Sequence, residues 1–174
     1  MSSPNVVPQA HTIGNDRQAT AHRSRWLAED RLDAVRERAA ELPCRPRVYF
    51  EEWDDPMISG IKWVSELIES AGGLEVFPAL AISKNAKDRI VTTDDVIAAA
   101  PDIIVGSWCG KKFVPAKVAA RPGFAAIPAV RDGALHEIKS ALILQPGPAA
   151  LTDGLDQLVR IVGDWASRMS TPAR

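Results

Sequence analysis

The chain has 174 residues, of which 46% are hydrophobic and 25% charged, enough for one globular domain with a buried core. Its 21 Lys and Arg are balanced by 22 Asp and Glu, which leaves no excess positive charge for the phosphate contacts that dominate nucleic-acid binding and so excludes a DNA or RNA partner. No run reaches the roughly 18 to 20 apolar residues of a membrane span, and Cys44 and Cys109 lie too far apart for a redox or zinc motif, so each is expected as a free thiol.

Residues 1–23 are rich in Ser, Pro, Asn, Gln and Thr without a period, and they read as a disordered tail. The opening MSSPNVVPQAHTIGNDRQ has neither the basic nor the apolar region of an export signal, so the chain as written is expected to be cytoplasmic. From Ser24 the pattern changes. Ala28, Leu32, Val35, Ala39 and Leu42 recur at spacings of four and three, one face of a helix over 24–45 that Pro43 and Pro46 stop. Val48 to Trp53 is biased to β-branched and aromatic residues and predicts a strand, ended by the turn former Asp55-Pro56. Ile61, Val64, Leu67, Ile68 and Ala71 fit a second helix face, with Gly72-Gly73 as its left-handed cap.

Thr92 or Thr93 is then the N-cap of a helix with Asp94 and Asp95 in its first turn, closed by Pro101. Ile103-Ile104-Val105 reads as a strand buried on both faces, followed by a loop from Gly106 to Gly110 and a short helix from Pro115 to Ala120. Ile127–Val130 is expected as a strand, paired through the Arg131-Asp132-Gly133 turn with Ala134–Ile138. A last helix from about Ala149 carries Leu151, Leu155, Leu158, Val162 and Trp165 on one face. Alternating strands and helices predict an α/β fold with a mostly parallel central sheet and helices on both faces.

In such sheets ligands sit beyond the carboxyl ends of the strands, which directs attention to two loops. Trp53-Asp54-Asp55-Pro56-Met57 follows the first strand and Gly106-Ser107-Trp108-Cys109-Gly110 follows the apolar one. Two indoles at one rim would give a flat, partly apolar ligand a contact surface, with Asp54 and Asp55 reading its polar groups; packing and turn formation are the bland alternatives. Gln145 opens the last helix, whose N-terminus favours anionic ligand groups, although a stiff connecting loop explains it as well. Lys111-Lys112 reads as a solvated surface pair. Ser107 and Cys109 do not form a nucleophile elbow, and His11, His22 and His136 show no ligand or catalytic pattern, so no enzyme activity is expected.

The strings Arg47 to Pro56, Ser59-Gly60, Trp63-Val64, Gly72-Gly73, Ala100 to Lys112 and Gln145 to Pro148 resemble the cobalamin and iron-chelate solute-binding proteins of ABC importers, in particular the cobalamin-binding protein branch. The resemblance implies one lobe of a two-lobed class III-type periplasmic binding fold. The bridging helix would be 24–45, the C-terminal lobe 46–168 and a tail 169–174, with the N-terminal lobe missing and the chain truncated. It implies binding of a cobalamin-like corrinoid as transported ligand, with haem or an iron siderophore as alternatives, no required cofactor, and an extracytoplasmic site of action. By the same resemblance Met57 lines the cleft and Asp94 engages an ABC permease; Trp53, Asp54, Asp55, Trp108, Cys109 and Gln145, from the loops read above, are the further ligand contacts expected. Asp88 departs from the family, which places an aromatic ring there against the corrin, as does Ala149, where some members carry an arginine. A ligand-free single lobe that self-associates through the helix face of residues 28–42 is the competing expectation.

Overall fold

The computed structural model describes the backbone of residues 12–170 and the side chains of 26–170. Helix α1 (Thr12–Ala40) is followed by strands β1 (Arg47–Asp54) and β2 (Met57–Ser59), helix α2 (Lys62–Ser70) and strand β3 (Leu74–Glu75). Then come α3 (Pro78–Ala81), α4 (Thr93–Ala99), β4 (Ile103–Gly106), α5 (Pro115–Ala119), α6 (Pro128–Arg131), β5 (Leu135–Glu137), α7 (Ser140–Ile143) and α8 (Leu155–Ser170).

The sheet is mixed but mostly parallel, in the order β2-β1-β4-β5, with β3 pairing the start of β1. β1 runs parallel to β4, Val48 opposite Ile103 through Glu51 opposite Gly106, and parallel to β3. β4 runs parallel to β5. Among the described strands only β2 is antiparallel; it doubles back from β1 through Asp55-Pro56, with Asp54 opposite Met57 and a bulge between Glu51 and Trp53. Alternation along β1 sends Val48 and Tyr49 to opposite faces. On the Val48 side lies α2, since a Cβ on Gly73 would meet both Val48 and Ile68 at 2.9 Å. On the Tyr49 side Glu51 bonds Arg121, which follows α5. Helices thus cover both faces, and the core runs from Val48, Tyr49 and Phe50 through Ile103 to Val105 to Leu155, Leu158 and Val162 of α8.

The first helix packs by Val35, buried, with Leu32 and Leu42 half-buried beside it. Gly72 closes α2 at φ +93 in the two-bond pattern of a left-handed cap, Gly73 N–H to Ile68 and Gly72 N–H to Glu69. Its missing side chain is needed twice over, because a Cβ there would come within 2.7 Å of Leu42. Of the two candidates Thr92 and Thr93, Thr92 is the N-cap of α4, and it bonds reciprocally with Asp95.

Three expectations are corrected. The stretch 1–23 is divided: Thr12 already begins α1, and only residues 1–11 lie outside the described residues. Gln, Ala and Arg between 17 and 25 are good helix formers, but with no apolar period they gave no signal. At the other end α8 continues through Ser170, past the boundary at 168, and residues 171–174 are outside the described set. Finally, Ile127–Val130 is not a strand and forms no hairpin with Ala134–Ile138. Pro128 starts the single helical turn α6, the Gly133 N–H returns to Val130 and the Ala134 N–H to Ala129, and Gly133 takes φ +67 as a left-handed helix cap. Asp-Gly therefore ends a helix and delivers β5 parallel to β4.

Candidate functional site

β1, β4 and β5 are parallel neighbours, so their carboxyl ends meet at one rim of the sheet, where the β1–β2 hairpin, the loop after Gly106 and the turn after Glu137 emerge. Ligands of open α/β sheets bind beyond such ends.

The base of the rim is a buried ionic cluster. Glu51, last of the β1 residues paired with β4, is 0% exposed. Its carboxylate accepts from Arg121 Nη1 at 2.5 Å and Nη2 at 2.9 Å, from the Trp108 indole N–H at 3.0 Å and from the Tyr49 hydroxyl at 3.2 Å. Burial raises the Glu51 pKa, against the lowering by its donors, first among them Arg121. Tyr49 is pushed well above the usual phenol range by burial and then by Glu51. For Arg121 burial favours the neutral form, but the bond and charge of Glu51 outweigh it and hold the guanidinium protonated. Arg121 also reaches the Met57 sulfur at 3.3 Å and lies over the Phe124 ring. The Glu51 carboxylate thus ties β1 to the β4 loop and to the segment after α5, and Arg121 extends the cluster to Met57 at the start of β2.

This cluster corrects the expectation for Trp108. Its indole is 5% exposed, turned inward to Glu51 and edge-on to Phe113 at 5.0 Å, so it offers no flat landing surface. Trp53 is half-buried at the same rim; its N–H donates to the Asp55 carbonyl at 2.9 Å and Lys111 Nζ stands 4.6 Å from its ring centre. Asp54 bonds Lys111 at 2.8 Å, Asp55 is exposed, and Met57 is half-buried against Arg121. Cys109 and Gln145 are exposed, as is Asp94 in the first turn of α4. Asp88 is exposed and accepts from Ser83 and Asn85, a loop-closing role, and Ala149 is half-buried ahead of the π-type turn Ala150–Gly154. Ser107 Oγ is buried without a hydrogen-bond partner among the described residues.

Sequence reasoning missed Glu51 and Arg121, and it read Lys111-Lys112 as plain surface. A hollow of about 460 Å³ opens between the β4 and β5 loops, lined by Trp108, Gly110, Lys111, Lys112, Lys139 and Ser140 among others. The Lys139 amine is 2.7 Å from Glu137, which also accepts the Phe113 N–H and whose pKa is lowered first by Lys139. A second buried pair, Arg89 with Glu52 at 2.6 Å, braces β2 through the Ser59 carbonyl. Among the described residues no group of three or more His, Cys, Asp or Glu is placed to hold a metal ion, and no helix is long and apolar enough to cross a membrane.

The geometry agrees with the comparisons. A sequence profile for periplasmic binding proteins matches residues 10–142, more than half of the 174 residues. No curated protein matches the chain. Among solved structures, an ABC transporter substrate-binding protein from Listeria monocytogenes EGD-e superposes with a TM-score of 0.71 at 16% identity, over 86% of this chain and 59% of that one. The periplasmic heme-binding protein RhuT from Roseiflexus sp. RS-1 gives 0.68 at 23% identity, over 83% and 56%. The periplasmic vitamin B12 binding protein BtuF of Vibrio cholerae gives 0.60 at 21% identity, over 80% and 52%. The chain spans between about half and three-fifths of these relatives, and at such identities the likeness is one of fold. With the profile extending from α1 through α7, this chain belongs to the periplasmic binding protein family.

Proposed function

We propose that the chain is a solute-binding lobe of an ABC importer, and that its β1, β4 and β5 loops form one wall of a cleft for a metal chelate: a cobalamin-like corrinoid, or haem or an iron chelate. The observation that carries this reading is the convergence of the Trp53 hairpin, the Gly106–Lys112 loop and the Lys139 turn on the carboxyl edge of a parallel sheet, in a chain of this family. Trp53 supplies the apolar contact, Asp54, Asp55 and Gln145 the polar ones, and Met57 and Cys109 flank them. Asp94, exposed on α4, is the proposed contact with a basic permease surface, strongest at low salt.

This wall by itself leaves one side of the ligand in water, so for residues 1–174 assayed alone affinities on the order of micromolar to high micromolar are expected rather than nanomolar. Equilibrium dialysis against cyanocobalamin, haemin and a ferric hydroxamate tests this. Saturable retention of one ligand, weakened in Trp53→Ala, supports the reading; retention of none refutes binding by this chain. A second reading is a ligand-indifferent self-associating lobe. It is favoured by Trp26 and Leu27 of α1, each 64% exposed, and sedimentation showing a dimer unaffected by these ligands would support it.

A further inference from the structure

We propose that the hollow between the β4 and β5 loops is a carboxylate seat, so that the chelate held at this rim is one bearing ionised carboxylates rather than a neutral one. The proposal rests on the binding function above and specifies its ligand class.

Every charged side chain lining the hollow is cationic: Lys111, Lys112 and Lys139. The acids that touch them stand outside the lining and act as anchors. Asp54 holds the Lys111 amine at 2.8 and 3.2 Å, and Glu137 holds the Lys139 amine at 2.7 Å while fixed in turn by the Phe113 N–H at 3.1 Å. Lys112 has no ion pair among the described residues. Three lysines stand against two carboxylates, Asp54 and Glu137; Lys112 acts on Glu137 only at longer range, and one positive charge is left over. Ammonium groups are donors without acceptor capacity, and the remaining polar side chain of the lining, Ser140, is small. A neutral ligand would leave this charge unanswered, whereas a carboxylate accepts from two or three amines at once. The position of Lys111 adds a mechanism. Its amine lies 4.6 Å from the centre of the Trp53 ring, so a flat ligand stacking on that face of Trp53 displaces it, and a carboxylate on the ligand would give it a new partner.

The test uses the whole chain with haemin and haemin dimethyl ester, which share one ring and one metal but differ in ionised carboxylates. Haemin is expected to bind about tenfold or more tighter than the ester at low salt, and the gap should narrow as salt rises. Lys112→Glu, an exposed change, should weaken haemin by a similar factor of about ten and leave the ester unchanged, with an unaltered thermal midpoint showing that the variant folds. Equal binding of haemin and ester overturns the carboxylate seat while leaving the solute-binding reading intact. Binding of cyanocobalamin with neither porphyrin also overturns the seat, and retention of no chelate at all overturns both.

Discussion

Glu75 offers the most direct check on the electrostatics of the core. It lies on β3, 6% exposed, with one carboxyl oxygen accepting the Phe77 N–H at 3.1 Å and the other without a partner among the described residues. Burial is the main cause that lifts its pKa from 4.5 to about 8, and the nearby Glu69 carboxylate adds to it. Between those two values the folded chain keeps a proton that the unfolded chain has released, so stability must fall as pH rises through that window. The contribution is complete below pH 4.5 and gone above about 8. At 1.36 kcal/mol per unit, raising the pH by about 2 units inside the window costs roughly 2 to 3 kcal/mol. With a urea slope of about 2 kcal/mol per molar for a domain of this size, the midpoint should drop by about 1 M. Glu75→Gln keeps an oxygen for Phe77 and removes the proton, so it should lose this dependence and become the more stable form toward alkaline pH. Urea midpoints of both proteins measured from about pH 5 to pH 8.5 decide it, and the contributions of other titrating groups cancel in the difference. Parallel curves would mean that Glu75 is ionised in the folded state, and the reasoning from burial would fail.

Two further perturbations address the rim. Arg121→Met leaves the Glu51 carboxylate buried with only Trp108 and Tyr49 as donors and should cost about 3 to 5 kcal/mol, of which adding Glu51→Gln should restore more than half; a denaturant double-mutant cycle measures both, and additive losses would contradict a direct pair. Gly106→Ala would set a Cβ 1.9 Å from the Phe113 ring within a fully buried strand, so a loss of about 2 kcal/mol or more is expected, partly recovered by Phe113→Leu; a neutral thermal midpoint for the single variant would show that the ring moves freely.

Much of the fold was legible because its core elements carry strong periodic signals. β1, α2, β4 and the Thr92 cap of α4 fall where apolar spacing and cap residues place them. The α8 face buries Leu155, Leu158, Val162 and Trp165 as the four-three spacing requires, with Leu151 half-buried ahead of it. What failed was short or non-periodic. Ile127–Val130 is an apolar tetrad, too brief to distinguish a strand from one helical turn, and Asp132-Gly133 serves a helix cap as readily as a hairpin. β2 and β3 have three and two residues and leave no pattern. At the site, the rim position of Trp53 and Trp108 was readable from strand order, but not the inward turn of Trp108, which depends on a buried carboxylate. Glu51-Glu52 after Val48-Tyr49-Phe50 was a usable sign, since acids on a central strand require partners. Their partners Arg121 and Arg89 lie 70 and 37 residues away along the chain, beyond any local spacing rule.

The placement of that buried pair bears on why a binding wall would tolerate it. A salt bridge in the core is a poor stabiliser, because desolvating both ions offsets most of their attraction. Here, however, the Glu51–Arg121 pair joins β1, the start of β2, the β4 loop and the segment after α5, which would otherwise be held at the rim by short strands and loops alone. Fixing those segments before a ligand arrives lowers the ordering cost of association, which is a gain in affinity without any contact to the ligand. The stable double variant Glu51→Gln with Arg121→Met separates the two roles. If the pair organises the rim, this variant will bind chelate more weakly and exchange the amide hydrogens of residues 107–112 faster while the core strands keep their protection. Unchanged exchange in that loop, with unchanged affinity, would reduce the pair to a packing feature of the core.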